Sequence, residues 1–166
     1  MAAFPRIALE TPALAPEIRS LLLAAFPTPV EADLVERLRR DGDVAMALAA
    51  FENDALVGHV VFSPMAAPFK ALGLGPVAVT PKRQRSGIGS QLIRQGLATA
   101  TDAGWDAIFV LGDPAYYGRF GFRADTAAGF ECPYAGPYLM ALALSGNELP
   151  GRGGSVAYAP AFRDLE

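Results

Sequence analysis

Val77-Ala-Val-Thr-Pro81-Lys82-Arg83-Gln84-Arg85-Ser86-Gly87-Ile88-Gly89-Ser90-Gln-Leu-Ile93 runs from a β-branched strand through a proline and a basic turn into an amphipathic helix. Pro81 closes the strand because it has no N–H to give to a ladder. From Gly87 to Ala103 the apolar positions Ile88, Leu92, Ile93, Leu97 and Ala100 share one helical face, and Gly104 ends the helix. A helix N-terminus exposes backbone N–H donors and partial positive charge, and glycine lets an anion approach the main chain. The turn therefore suits a diphosphate held on the amides of Arg85, Ser86, Gly87, Ile88, Gly89 and Ser90, with Lys82, Arg83 and Arg85 as mobile charge beside it. The same spelling also serves a plain strand-to-helix turn in which glycine only supplies backbone geometry. No Asp or Glu occurs between Ala55 and Thr101, a window that holds Lys70, Lys82, Arg83, Arg85 and Arg94 in a chain of net charge −3. Such a field suits a small polyanion, and a chance cluster of surface charge has the same pattern.

Working outward, residues 71–79 read as the strand that feeds this turn. Before them, residues 44–51 and 55–63 form two strand arms around the Asn53-Asp54 turn, a β-hairpin signal. Residues 6–10 alternate as a short strand ended by Thr11-Pro12. Pro16 opens a helix with Ile18, Leu21, Leu22 and Ala25 on one stripe, stopped by Pro27 and Pro29. Residues 31–40 read as a second amphipathic helix with Leu34, Val35 and Leu38 on one face and Gly42 as its stop. Downstream, residues 107–111 form a fully apolar strand of the buried kind. Residues 114–119 make a turn or two of helix, a strand starts at Gly121-Phe122, and residues 138–144 make the last strand. The order β-α-α-β-β-β-α-β-α-β is that of a mixed α/β (α+β) sheet with helices on both faces. The Arg152-to-Phe162 tail, with Val156, Tyr158 and Phe162, is expected to add an edge hairpin within 146–166.

At 166 residues, 52% apolar and 19% charged, the chain reads as one folded domain over 1–166. One Cys and one His cannot supply a disulfide framework or the usual zinc ligands, so no metal is expected. Apolar runs stop far short of the roughly 18 residues a membrane span needs. The first residues show no basic segment followed by an apolar stretch, so a cytoplasmic location is expected. The acidic balance argues against a nucleic-acid partner. Rival phosphate motifs fail: no Walker sequence is present. Gly73-Leu-Gly-Pro-Val-Ala spells a dinucleotide fingerprint but runs into strand instead of helix.

Gln84-x-x-Gly87-x-Gly89, following Val77-Ala-Val and Pro81, resembles the acyl-CoA signature of the GNAT N-acetyltransferase superfamily. Val110-Leu-Gly-Asp-Pro-Ala-Tyr116-Tyr117-Gly-Arg-Phe-Gly121-Phe122 resembles the family's second signature, a Tyr four residues before a terminal Gly-Phe. Its wording is nearest to acetyltransferases of the YhbS type. The segment order from Arg6 to Leu144 is similar to the GNAT fold with its splayed central sheet.

The resemblance implies acetyl-CoA as co-substrate, lying where two parallel strands separate. Its pantetheine arm would pair with main-chain groups of Val77, Ala78 and Val79, and its pyrophosphate would sit on the amides of residues 85–90. It implies direct transfer, in which a neutral amine attacks the thioester carbonyl, the Val77 N–H faces the oxyanion and Tyr117, also in contact with the cofactor, protonates the leaving thiolate. The alternative for Tyr117 is an aromatic filler beside Phe120 and Phe122. Tyr116 points about 100° away on a helix and is the weaker choice. The base is open among His59, Glu52, Glu31 and water, and the direct route does not need Cys132. Two positions depart from the family pattern: Val110 stands where many relatives have Asn, and Pro76 removes one N–H from the strand that pairs with the cofactor. The expected function is transfer of acetyl to a primary amine of a small-molecule or peptide acceptor, by a monomer or homodimer. The alternative is a non-catalytic acyl-CoA-binding sensor or regulatory module, which keeps the cradle and needs no acid at Tyr117.

Overall fold

The computed structural model describes residues 5–165. The first four residues, read above for a leader, and Glu166 at the end of the tail lie outside the described residues. The chain order is β1 (Arg6–Leu9), α1 (Ala15–Ala25), α2 (Val30–Asp41), β2 (Met46–Glu52), β3 (Ala55–Pro64), β4 (Ala71–Val79), α3 (Ile88–Asp102), β5 (Ala107–Leu111), α4 (Pro114–Tyr117), α5 (Ala124–Ala127), β6 (Phe130–Glu131), β7 (Leu139–Ala143) and β8 (Gly154–Ser155). Six strands make one sheet in the order β1-β2-β3-β4-β5-β7. Its neighbours are antiparallel except β4 and β5, which run parallel. Asn53 and Asp54 both take positive φ (49° and 66°), the geometry of a tight hairpin turn whose twist matches the strands it joins. Gly42 caps α2 in the left-handed region at φ 76°.

The alternation of each strand splits the core. Val60, Phe62, Leu72, Leu74, Ile108 and Val110 face Ile88, Leu92 and Ile93 of α3. On the other face Ala47, Val61 and Ala78 meet Ile18 and Leu22 of α1 and Leu34, Val35 and Leu38 of α2. Ala107, Phe109 and Ala141 are covered on their own side by Ala127, Phe130 and Val156. The mixed sheet with helices on both faces read from the sequence is therefore realised.

Two expected elements differ. No strand forms at Gly121-Phe122: Gly121 ends a 3₁₀ turn over Gly118–Phe120 at φ 99°, Phe122 turns into the core, and only Arg123 bridges to Ala141. In place of an edge hairpin, the tail lays β8 parallel to β6, bridges Ala157 to Ala66, and ends in a 3₁₀ turn over Pro160–Leu165. No helix among the described residues is long and apolar enough to cross a membrane.

The feature that positions the site is a break in the sheet. Parallel pairing of β4 with β5 runs only from Ala71↔Ala107 to Gly73↔Phe109. On its other side β4 carries an extra residue, with Phe62 opposite Leu74 but Val60 opposite Val77. A bulge of this kind bends its strand and sharpens the local twist. Beyond it β4 leaves β5, and no strand among the described residues pairs with the edge of residues 77–79 that would face β5.

Candidate active site

Antiparallel pairing alternates residues that bond across the ladder with residues that do not. Thr80 N–H donates to the Val57 carbonyl at 2.9 Å. Two residues back, the Ala78 groups therefore turn toward its partner His59, while those of Val77 and Val79 turn toward the gap. The Val79 carbonyl is met there by Gln84 Nε2 at 3.1 Å. The signature glutamine thus ties the basic turn to the strand end.

Past that tie, Arg85, Ser86 and Gly87 are exposed, and the first α-helical bond runs from Gln91 N–H to the Gly87 carbonyl at 3.0 Å. The N–H groups of Ile88, Gly89 and Ser90 are those that an α-helix leaves without internal partners. Gly87 adopts φ 92°, which a side chain resists, and Arg85 is also left-handed at φ 65°. Gly89 serves a different need: a Cβ there would lie 3.3 Å from Tyr116 Oη and 3.7 Å from Val79 Cγ2. Arg83 is not the mobile cation expected from sequence. Its guanidinium holds Glu52 through two bonds of 2.8 and 2.6 Å.

Asp113 caps α4 by accepting from Ala115 N–H at 2.9 Å, and Pro114 starts the helix. This short turn aims both tyrosines at the gap. Tyr117 packs edge-on against Tyr116 (4.9 Å between ring centres) and Phe122 (6.0 Å). Its burial, with a smaller effect of Tyr116, pushes its hydroxyl up to about 12. Tyr116, set aside from sequence because of its helical direction, lies over Gly89 and under the Arg119 guanidinium, 4.5 Å from its ring centre.

Two cavities meet here. The smaller, about 240 Å³, runs along Val77, Ala78, Val79, Gln84, Gly89 and Tyr116. The larger, about 410 Å³, is walled by Leu34, Leu74, Tyr134, Tyr158 and Phe162. Phe26, Val77 and Tyr117 border both.

The structure separates the three side chains that sequence left open as bases. His59 is fully buried, its Nε2 2.8 Å from Glu10 Oε1; Glu10 also accepts from Arg39. Burial would raise the Glu10 carboxyl, but the hydrogen bonds and charges of His59 and Arg39 outweigh it and lower it to about 2. Glu52 is held by Arg83. Glu31, in the first turn of α2, lines the larger cavity and is the one charged residue in that lining among the described residues. Cys132 packs under β5 and β7, outside both linings. Among the described residues no group of three or more His, Cys, Asp or Glu is arranged to hold a metal ion. The family resemblance implies that loops such as residues 132–138 and the segment between the first two helices shape the acceptor side, and these supply Tyr134 and Phe26; sequence reasoning did not place the tail residues Tyr158 and Phe162 in that wall. They come from a distant segment, and the sole local signal was the aromatic content of the last third.

The acetyltransferase (GNAT) family model matches residues 15–122. YhbS of Escherichia coli (strain K12), an uncharacterized N-acetyltransferase, is 37% identical over 134 residues, which is 78% of this chain and 80% of that protein. The crystal structure of Escherichia coli YhbS in complex with CoA matches with a TM-score of 0.91 at 33% identity, covering 98% of this chain and 94% of that one. A GNAT family acetyltransferase from Brucella melitensis in complex with acetyl-CoA matches at 0.80 and 38% identity, covering 95% and 97%.

Proposed function

Because the chain belongs to the GNAT acetyltransferase family, we propose that it moves an acetyl group from acetyl-CoA to a primary amine by direct attack. One observation carries the reading: Val77 and Tyr117 border both the channel beside the helix N-terminus and the larger cavity. An acyl-thioester in the first would present its carbonyl to an amine in the second.

The pyrophosphate takes the amides of Arg85, Ser86, Gly87, Ile88, Gly89 and Ser90, where open N–H groups and helix polarity favour an anion. The pantetheine amides pair with the gap-facing groups of Val77 and Val79, while Ala78 supplies wall. When the amine attacks, negative charge grows on the thioester oxygen, and the Val77 N–H donates to it. The C–S bond then breaks, and Tyr117, protonated across the neutral range, gives its proton to the departing thiolate. That acetyl-CoA is the donor is supported by the ligands of the Escherichia coli and Brucella melitensis structures.

Thermal denaturation with acetyl-CoA, CoA and ATP, followed by thiol release with a panel of amines, tests the reading. Acetyl-CoA and CoA are expected to raise Tm by mass action, and at least one amine is expected to release CoA. A shift with ATP and none with acetyl-CoA overturns the cradle. Acetyl-CoA binding without release for any amine leaves the sensor module.

A further inference from the structure

The larger cavity has a wall of one chemical kind and a single charge. Tyr134 Oη donates to the Phe162 carbonyl at 3.2 Å, and the rings of Tyr134 and Phe162 flank Tyr158 at 5.8 and 5.2 Å between centres. Three aromatic side chains from two segments thus brace one another into a rigid face. The same cavity is lined by Glu31, with one carboxylate oxygen buried and without a hydrogen-bond partner among the described residues. The Tyr158 hydroxyl is likewise buried and unpartnered. Its helix neighbours do not share this state: Arg19 holds Asp33 at 3.0 Å and Glu36 at 3.2 Å. A buried carboxylate oxygen with nothing to accept from is costly, and a turn of the Glu31 side chain toward a donor seated in the cavity removes that cost.

Resting on the acyl-transfer reading, we propose that this cavity selects a compact monoamine with an apolar or aromatic body, and that Glu31 holds its ammonium and takes the proton that frees it for attack. The ammonium meets a carboxylate and aromatic faces, both favourable to a cation. The body of the ligand fills a cavity of about 410 Å³, within the usual size of small-molecule sites. A polyamine or aminoglycoside would bring a second cation into a lining with one carboxylate, and a peptide would press unpaired amide groups against apolar walls. The protons balance. One passes from the ammonium to Glu31, the C–N bond forms and C–S breaks, and the Tyr117 proton goes to the thiolate. The second nitrogen proton then restores Tyr117, and Glu31 returns its proton to water.

The test uses phenethylamine, its neutral analogue 2-phenylethanol, spermidine and an N-blocked lysine peptide. Each is titrated into the CoA-bound protein by calorimetry, and the three amines are assayed with acetyl-CoA. Phenethylamine is expected to bind and to show kcat/KM at least tenfold above spermidine and the peptide, while 2-phenylethanol does not compete. Glu31→Gln keeps the shape and loses the charge. It is expected to bind acetyl-CoA as wild type does, with phenethylamine affinity and kcat/KM each reduced tenfold or more, and Glu31→Asp recovering part of the loss. Preference for spermidine or the peptide, or wild-type phenethylamine affinity in a folded Glu31→Gln, overturns the inference and leaves acyl transfer standing. Should Glu31→Gln not fold, the wild-type ranking of the four probes decides alone. Failure to bind acetyl-CoA at all overturns the acyl-transfer reading instead.

Discussion

Tyr117 is wedged beside Gly112, where a Cβ would come within 2.5 Å of its ring. Replacing its hydroxyl therefore leaves a packed ring behind. Tyr117→Phe is expected to lower kcat about a hundredfold, the usual worth of a placed proton donor, with acetyl-CoA affinity by calorimetry unchanged. With the hydroxyl raised to about 12, the donor stays protonated as alkali is added, so the wild-type kcat profile is expected to lose nothing to Tyr117 ionisation up to about pH 10. Retention of full kcat by Tyr117→Phe makes the ring a filler. Gly87 permits a cleaner test of the cradle. Its φ of 92° is tolerated by Asn and Asp better than by other side chains, and nothing lies within 4 Å of a Cβ there. Gly87→Asn and Gly87→Asp thus share shape and strain and differ in charge. The Asp variant is expected to bind acetyl-CoA at least tenfold more weakly than the Asn variant; equal Kd values would move the pyrophosphate elsewhere.

At the level of elements, the bent end of β4 behaves as a strand with one neighbour missing. If the cofactor takes that place, saturating acetyl-CoA slows amide hydrogen exchange at Val77 and Val79, whereas Ala78, already turned to His59, changes little. Unchanged exchange at Val77 and Val79 would argue that the arm does not pair there. This strand, its turn and α3 were legible in the sequence because their signals are local: alternation, Pro81, Gly87 and a five-residue apolar stripe. The strand expected at Gly121-Phe122 failed because a buried Phe beside polar neighbours spells a strand equally well, while the positive φ of Gly121 is invisible in the string. The tail was misread because β8 pairs with β6, a partner far away in sequence. Likewise the choice among His59, Glu52 and Glu31 turns on Glu10, Arg39 and Arg83, none of them near in sequence to the residue it engages.

For the whole molecule, the Glu10–His59–Arg39 cluster ties the end of β1 to β3 and α2. Folding lowers the Glu10 carboxyl from 4.5 to about 2. Its contribution to stability is therefore present above about pH 4.5 and is lost as pH falls toward 2. Tm by calorimetry is expected to hold from neutral pH down to about 5 and then to drop over that interval. Glu10→Gln is expected to remove this acid step and to cost about 3 kcal/mol at pH 7, since it strands the buried His59 and the half-buried Arg39. An acid profile identical in both proteins would discount the cluster. The two cavities also differ in how they can change over generations. Most of the proposed cofactor side is one run of sequence from Val77 to Ser90, which stands or falls together, with Phe26, Tyr116 and Tyr117 added from elsewhere. The proposed acceptor side is gathered from Phe26, Glu31, Tyr134, Tyr158 and Phe162, spread over three separate stretches and open to drift one residue at a time. On the proposed reading, a lineage built on this scaffold trades one amine for another by single replacements at the wall, while its grip on the shared acyl carrier is inherited intact.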